Sequence, residues 1–479
     1  MGRSAFKKKG PSYSFRPSNL KAVSDRLIDI RSNYHDHFRV GNHSVAFAAD
    51  AYLNGLLMKA PRKNMERMEE YVKGAEYESV QHFISESPWD EKPVKAQIAA
   101  DVDSAIGGSH CMLAIDESSF TKKGNRSVGV ARQYNGRLGK KDNCQVGVFG
   151  ALTDGTHASL VDARLYLPQE WIDSPARCDV AGIPKEERVF KTKWEIGLEI
   201  VDTAIANNVR FGYVGFDGFY GNVPEFLKGL TARKCTYIGA VHKDQFVYED
   251  DPHPYLPRRK KKVGRKHTLY KSRTTGIRVD QLSEEMDTPW KLITIREGAK
   301  GYVGVYARRK RVWIWEKGSE KAEEVWLVII REPFTGEQKY FISNAAPTVT
   351  LTEMACKASY RFYIERTFQD AKTSIGMADY QMRGWTGWHH HMAMIMLAMM
   401  FLMKERIINE ADVSLLSCQD IVEILNFYLP REDADEEAIF RQLEKRHEAR
   451  RKAMESAYRN QQLRHPEVKF NLDENTKSR

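Results

Sequence analysis

Two apolar, strand-like runs that each end in an aspartate constrain this chain more than any other feature of its sequence. The run from Met112 to Ile115 precedes Asp116, and a second run over residues 211–216 precedes Asp217. Far downstream, a stretch with helical periodicity carries Glu365. Two strand-end aspartates and a helical glutamate can bring three carboxylates together around metal ions. The fold must therefore place the two strands next to each other.

The order of the predicted elements around these aspartates favours a layered α/β core of the RNase H-like type. In that order the first and fourth strands of the sheet are neighbours, which would place Asp116 beside Asp217. The expected strands cover residues 111–115, 127–134, 145–152, 158–166, 211–216 and 236–241, and the expected helices cover residues 193–206 and 223–231.

Changes in hydrophobic periodicity and in composition along the chain predict five regions. The fold class expected is α/β, with an RNase H-like catalytic core interrupted by a β-rich insertion and flanked by N-terminal and C-terminal helical domains. Within the first region, helical periodicity covers residues 20–30, 45–59 and 64–85. Strand-like runs in the insertion cover 303–306, 312–315, 325–330 and 339–343. The regions are 1–100 (helical), 101–245 (first part of the core), 246–345 (basic β-rich insertion), 346–407 (closing helices with Glu365) and 408–479 (helical C-terminal region).

Charge and cysteine usage narrow the class of protein. The 479 residues include 74 Lys and Arg against 64 Asp and Glu, a net charge of +10, which suits a polyanionic partner. The six cysteines are scattered without a CxxC pair, which favours a reducing compartment and argues against a structural zinc. The most apolar run, residues 392–403, is too short to span a bilayer. Together these features favour a protein of the cytoplasm that acts on nucleic acid.

The three carboxylates suit magnesium, a hard cation that prefers oxygen ligands. A two-metal site holds its ions roughly 3.5–4 Å apart, one activating the attacking oxygen and one stabilising the leaving oxygen. We expect Asp116 to bridge two Mg²⁺ ions, with Asp217 on one ion and Glu365 on the other, and Mn²⁺ to substitute. Such a site suits phosphodiester cleavage and strand transfer on DNA.

Basic and aromatic side chains supply candidate DNA contacts, since Lys and Arg bound to phosphates give affinity and salt dependence. Arg361, Glu365 and Lys372 share one face of the predicted helix. Ordinary alternatives stay open: a surface ion pair for Arg361 and Glu365, a solvated loop for the basic runs, and packing for the tryptophans. The other candidates are Arg62 and Lys63, then Arg258, Arg259, Lys260, Lys261 and Lys262, then Arg308, Arg309 and Lys310, with Trp313 and Trp315 as candidates for stacking on a base.

The chain resembles the bacterial insertion-sequence transposases of the DDE type that carry a Tyr-x2-Arg-x3-Glu-x6-Lys signature. Arg361, Glu365 and Lys372 match its last three positions, whereas Ala358 stands at the first, and the nearest tyrosine is Tyr360. The resemblance covers residues 45–405. It also includes segments at 52–57, 62–64, 81–90, 165–171, 182–184, 217–221 and 380–388.

The resemblance implies cut-and-paste movement of a DNA element by an enzyme of the bacterial cytoplasm that works at the nucleoid. It implies that the N-terminal helical domain binds the DNA ends, that double-stranded DNA is both donor and target, and that a homodimer holds the two ends together. Two other functions stay open: an RNase H-like nuclease that cuts without integrating, and a regulatory DNA-binding protein without catalysis.

Overall fold

One ten-stranded mixed sheet organises the protein. The computed structural model describes residues 16–136, 138–257, 267–298, 301–413, 416–431, 436–464 and 466. The strands are β1 Arg39–Val40, β2 His43–Ser44, β3 Met112–Thr121, β4 Ala131–Asn135, β5 Lys140–Thr153, β6 Ala158–Leu165, β7 Tyr213–Phe216, β8 Tyr237–Val241, β9 Phe246–Val247, β10 Ile277–Arg278, β11 Lys291–Gly298, β12 Gly301–Ile314, β13 Glu323–Arg331 and β14 Gln338–Ser343.

Helices cover the sheet and lie at both ends of the described part of the chain. Two further 3₁₀ turns lie at His35–His37 and Lys185–Glu187. The α-helices are α1 Pro17–Tyr34, α2 Ala46–Leu57, α3 Met65–Tyr71, α4 Tyr77–Ser85, α5 Glu91–Ile106, α6 Gln169–Ile172, α7 Pro175–Val180, α8 Lys193–Ala206, α9 Gly218–Gly221, α10 Pro224–Ala232, α11 Val279–Glu285, α12 Leu351–Ser374, α13 Trp385–Asn409, α14 Cys418–Tyr428 and α15 Glu436–Arg464.

The strand order brings distant segments together. The large sheet runs β11-β12-β13-β14-β8-β7-β3-β5-β4, and β6 pairs with the second half of β5. The pairs β3–β7 and β7–β8 are parallel, and the remaining pairs of this sheet are antiparallel. Parallel neighbours need a crossover, which the segment containing α8 supplies between β6 and β7. The strands that lead to the two aspartates, β3 and β7, are therefore adjacent, as expected from the sequence.

Strand β3 is longer than its apolar run predicts. Residues 111–115 were expected to end at Asp116, but the strand continues to Thr121 because its pairing with β5 runs from Met112–Thr153 to Thr121–Cys144. Only the parallel pairing with β7 stops earlier, at Ile115 opposite Phe216. The apolar run stops at Ile115 because the next four residues, 116–119, are polar, although backbone pairing with β5 continues through them.

The predicted insertion continues the same sheet, because β14 pairs with β8 in the antiparallel sense. The two runs expected at 303–306 and 312–315 are parts of one strand, β12. The basic residues between them are compatible with a strand because two of their side chains lie over Trp326 of β13. The guanidinium carbons of Arg309 and Arg311 stand 4.0 Å and 4.9 Å from the Trp326 ring centroid.

The apolar helix α13 is the core on which the N-terminal helices pack. Its three consecutive histidines are buried, and two of them contact the N-terminal helices or the segment that joins them. The His391 ring lies 2.7 Å from the Tyr52 hydroxyl of α2, and the His390 ring stacks on Trp89 at 3.8 Å. No helix of the described part of the chain is long and apolar enough to cross a membrane.

Residues 64–85, expected as one helix, form the two helices α3 and α4. Asn64 caps the first, since its side-chain oxygen accepts a hydrogen bond of 3.0 Å from the Arg67 amide. The chain then turns at Gly74, whose φ of +77° lies in the left-handed region that a helix cannot contain. Periodicity alone does not reveal this break, because apolar positions continue through it.

A buried ion pair fastens α1 to α13, and we predict that breaking it costs more stability than breaking a surface pair. Arg26 donates two hydrogen bonds of 2.6 Å to Glu405, whose side chain is 1% exposed. Arg26→Met leaves this buried carboxylate without its cation, so we expect a loss of about 3 kcal/mol in the free energy of unfolding, measured by urea denaturation.

The matched control for this variant is Arg39→Met. Arg39 pairs with Asp36, whose side chain is 91% exposed, and we expect a change below about 1 kcal/mol. Equal losses in the two variants would show that Glu405 does not hold α1 in place.

Candidate active site

The carboxylate site begins where the parallel pairing of β3 and β7 ends. Ile115 is paired with Phe216, so the next residues of the two strands, Asp116 and Asp217, lie at the same edge of the sheet. Beyond this point β3 continues along β5 only. The strand order thus brings the two carboxylates to one place.

Asp217 is held by the short helix α9 that it caps. Its Oδ1 atom accepts hydrogen bonds from the amides of Phe219, at 3.0 Å, and Tyr220, at 3.3 Å. Both bonds go to Oδ1, and neither amide donates to Oδ2. The turn thus sets the direction in which Oδ2 points. Gly218 permits this turn to pack closely, because a Cβ there would lie 2.7 Å from the His242 ring. The turn therefore fixes the orientation of the carboxylate.

Glu365 lies on α12, which begins at its cap Thr350, and it is connected to Asp116 through Arg361. One guanidinium nitrogen of Arg361 lies 3.1 Å from Asp116 Oδ2, and the other lies 2.6 Å from Glu365 Oε1. Asp116 is buried and Glu365 is exposed. The predicted Arg–Glu pair is thus present, and it includes the strand aspartate as a third member.

The charge of Asp116 is the least favourable feature of the site. Burial, followed by the negative charges of Asp217 and Glu365, raises the pKa of this carboxyl, Arg361 and the Glu117 amide oppose the rise, and the net pKa is about 7. The contributions of Asp217 and Glu365 show that the three carboxylates lie within electrostatic reach of one another. One guanidinium does not fully compensate them.

The three side chains fit a hard cation by their chemistry and by this unbalanced charge. Within the described residues, no three His, Cys, Asp or Glu side chains are already grouped as metal ligands. The guanidinium of Arg361 lies between Asp116 and Glu365 and supplies the positive charge there. A divalent cation at this position would compensate the same carboxylates.

Of the predicted DNA-contacting residues Arg62, Lys63 and Lys372, only Lys63 is buried. Arg62 is exposed, and Lys372 lies in the last turn of α12 with its Nζ 5.5 Å from the Phe120 ring centroid. Lys63 is buried and donates to the main-chain oxygens of Leu56 and Ser374. Burial lowers the pKa of Lys63 to about 7. Lys63 therefore joins the ends of α2 and α12 rather than facing a polyanion.

The basic run on β12 is committed to the protein itself. Arg308 is 6% exposed and donates to the main-chain oxygens of Met286 and Ser283. Arg309 donates to the Val349 oxygen, and Lys310 pairs with Glu249. These contacts stabilise the extended sheet, so we do not include this run in the DNA interface. Arg258, Arg259, Lys260, Lys261 and Lys262 lie outside the described residues.

Trp315, but not Trp313, lines a cavity. The backbone of Trp313 exchanges hydrogen bonds with that of Tyr248, whereas Trp315 donates from its indole nitrogen to the Ser319 oxygen at 2.9 Å. The cavity has a volume of about 340 Å³ and lies between β12 and α10. Its lining residues include Trp315, Ile314, Leu227, Pro224 and Gly221, the last residue of the helix that Asp217 caps.

One charged pair near the site was not predicted from sequence. Lys193, the first residue of α8, places its Nζ 2.9 Å and 2.8 Å from the two carboxylate oxygens of Glu117. Glu117 directly follows Asp116, and it could be mistaken for a metal ligand in the sequence alone. Its partner lies 76 residues away in the chain, so no local pattern indicates the contact.

The fold and the site define an α/β protein with a cluster of carboxylates at the edge of a mixed sheet. A family model described as DDE superfamily endonuclease matches residues 34–302, more than half of the chain. The chain belongs to this family. The matched segment contains Asp116 and Asp217 and ends before Glu365.

Comparisons with individual proteins give two further similarities. A protein from Microchaete diplosiphon named "Probable transposase for insertion sequence element IS701" is 23% identical over 342 residues, which cover 70% of this chain and 77% of that protein. The solved structure of a piggyBac transposase synaptic complex with hairpin DNA has a TM-score of 0.35 and 11% identity, covering 80% of this chain and 70% of that chain.

We predict that Asp116→Asn stabilises the metal-free protein at alkaline pH. Since the pKa of Asp116 is raised from 3.8 to about 7, the folded state holds this proton more tightly than the unfolded state, and stability falls as pH rises through that window. The variant lacks this loss, so at pH 8 it should gain up to about 4 kcal/mol in the free energy of unfolding. The gain should vanish near pH 4.

The control, Asp154→Asn, should change stability in the opposite direction. Burial acts to raise the pKa of Asp154, but hydrogen bonds from His157 and from the amides of Thr156 and His157 outweigh it, and the pKa is lowered. Its charge is thus favourable in the folded state. Destabilisation of the Asp116 variant at pH 8 would contradict our account of the site.

Proposed function

We propose that this protein is a DNA transposase, which binds the terminal inverted repeats of an insertion sequence, excises the element and transfers its strands to target DNA. The observation that carries the proposal is the convergence of Asp116, Asp217 and Glu365 in a member of the DDE superfamily endonucleases. The similarity to the probable transposase over 70% of this chain supports the same function.

An RNase H-like core is part of the proposal. The strands β6, β5, β3, β7 and β8 are neighbours in that order, with parallel pairing only for β3–β7 and β7–β8. The adjacency of β3 and β7 supports such a core, because the sequence predicted that the strands leading to Asp116 and Asp217 are neighbours. Strands β11 to β14 extend the sheet beyond β8, at the place expected for the β-rich insertion.

Asp116, Asp217 and Glu365 are the residues that would hold divalent cations, which we propose to be two Mg²⁺ ions. Such ions, when bound, neutralise phosphate charge and activate the attacking oxygen, so the chain need not supply a general base. The protein's own contribution is to fix the carboxylates. The α9 turn orients Asp217, the pairing with β5 and β7 positions Asp116, and α12 carries Glu365 toward both.

The proposal also assigns the chain to the Tyr-Arg-Glu-Lys signature group. Arg361 and Lys372 lie on α12 with Glu365, as the spacing requires. Ala358, in the place of the signature tyrosine, is buried. Tyr360 packs on Gly155 instead, where a Cβ would lie 2.2 Å from its ring.

Arg361, Lys372 and Arg62 are the described residues that we propose as DNA contacts, together with the basic run 258–262. Arg361 has the planar fork that binds a phosphate in the same bidentate way as it binds carboxylates. Trp315 remains our candidate for stacking on a base, in the cavity between β12 and α10. A homodimer that holds both element ends completes the proposal.

We predict that Glu365→Gln abolishes DNA cleavage and leaves DNA binding unchanged. The substitution removes one proposed metal ligand from an exposed helical position, so the fold should be retained. The measurement is cleavage of a labelled duplex that carries the junction of the element, in Mg²⁺, Mn²⁺ or EDTA, with binding followed separately by anisotropy.

Glu353→Gln is the matched control for this variant. Glu353 lies on the same helix but bonds to the Tyr213 hydroxyl at 2.7 Å, outside the carboxylate cluster, and its substitution should leave cleavage intact. Loss of binding in Glu365→Gln would mean that this residue is structural. Cleavage without joining by the wild type would favour a nuclease, and binding without cleavage a regulatory protein.

A further inference from the structure

Beside the carboxylate cluster, on the opposite face of β3 from Arg361, the chain holds a second cation. We infer that Lys193 binds a DNA phosphate there, with Glu117 as the residue that positions its ammonium group. The inference rests on the proposed function, because it concerns the DNA that the carboxylates would cut. It adds a contact on α8, a helix to which neither the sequence nor the family comparison assigns DNA contacts.

Strand geometry puts this pair next to the site. Successive side chains of a strand point to opposite faces, so Glu117 faces α8 while Asp116 faces Arg361 and α12. The ammonium of Lys193 lies 2.9 Å and 2.8 Å from the two Glu117 oxygens. Lys193 is therefore fixed one residue from the central aspartate.

The surroundings of Lys193 connect it to the second aspartate as well. Its Nζ lies 5.6 Å from the ring centroid of Phe219, in the turn that Asp217 caps, and 5.6 Å from that of Tyr166. The side chain of Phe219 is an aromatic surface that is 44% exposed next to the carboxylates. A cation beside such a surface resembles the basic and aromatic pairing that binds nucleic-acid strands.

Tyr220 carries an unpaired polar atom in the same part of the site. Its side chain is fully buried, and its hydroxyl has no hydrogen-bond partner among the described residues. The amide of Tyr220 donates to Asp217 Oδ1 at 3.3 Å, so an unpaired buried hydroxyl belongs to a residue that directly contacts the second aspartate.

The charges around the cluster favour a phosphate at Lys193. Asp116, Glu117, Asp217 and Glu365 are opposed on the two faces by Arg361 and Lys193. A DNA backbone brings more negative charge, so it must approach through positions where cations are held. An ammonium has three N–H donors, and the two Glu117 oxygens accept at most two of them. The remaining donor, at the positive N-terminal end of α8, can bind a phosphate oxygen.

The competing explanation is that the Lys193–Glu117 pair only stabilises the contact between α8 and β3. Removing Lys193 alone cannot distinguish the two, because it leaves the half-buried Glu117 unpaired. The double variant Lys193→Gln, Glu117→Gln removes both charges and leaves no unpaired charge between α8 and β3, so we expect the fold to be retained. Glu117→Gln alone keeps the cation and frees it from its carboxylate.

The experiment measures DNA affinity against salt concentration for these variants by fluorescence anisotropy. Two duplexes are compared, one with the element end and one of unrelated sequence. A loss of affinity on only one of them shows whether Lys193 contacts a phosphate of the element or of target-type DNA. The double variant should lose affinity, and the slope of log K against log salt should fall by about 0.9, the value for one phosphate contact. The single variant Lys193→Arg keeps a cation at this position, so it should retain the wild-type affinity and slope.

Lys191→Gln is the matched control, because Lys191 lies two residues away and pairs with Glu199 at 2.7 Å rather than with Glu117. Glu117→Gln should bind at least as tightly as the wild type. An unchanged slope in the double variant on both duplexes, with wild-type binding intact, would overturn this inference alone. Absence of DNA binding by the wild type would overturn the proposed function and this inference with it.

Discussion

The parallel pairing of β3 with β7 is the constraint on which the site depends. It ends at Ile115 and Phe216, and the residues that follow are the two aspartates. The crossover between β6 and β7 makes this pairing possible, and the antiparallel pairing with β5 extends β3 past the site. A change of register by one residue would turn Asp116 to the face of α8 and Glu117 to the face of α12.

Electrostatics then explains how four acidic residues coexist at this edge. Asp116 is buried among like charges, and its raised pKa records that cost. One cation lies on each face of β3: Arg361 of α12 binds Asp116 and Glu365, and Lys193 of α8 binds Glu117. Removing Arg361 or Lys193, or adding a divalent ion, changes the net charge around these four carboxylates. In the proposed function, the carboxylates bind metal, and the two cations meet the phosphates of the DNA.

The sequence predicted the positions of the three carboxylates better than it predicted the residues around them. Asp116, Asp217 and Glu365 could be placed because strand ends and helical spacing are local signals, and their order along the chain implied a known strand order. Lys63 and Arg308 were predicted to contact DNA because they are basic and neighbour other basic residues. Each is buried against main-chain oxygens, a state that depends on helix ends and strands far away in the chain. The same limit hid the pairing of Lys193 with Glu117, and the continuity of β12 depended on Trp326 in the next strand.

The central claim is that the three carboxylates form one metal site in the DNA-bound enzyme. Anomalous diffraction from crystals of the protein–DNA complex grown with Mn²⁺ tests it most directly. We expect manganese at Asp116, Asp217 and Glu365, and its loss from this position in Asp217→Asn. Manganese bound elsewhere, with Arg361 still joining Asp116 to Glu365, would contradict the account.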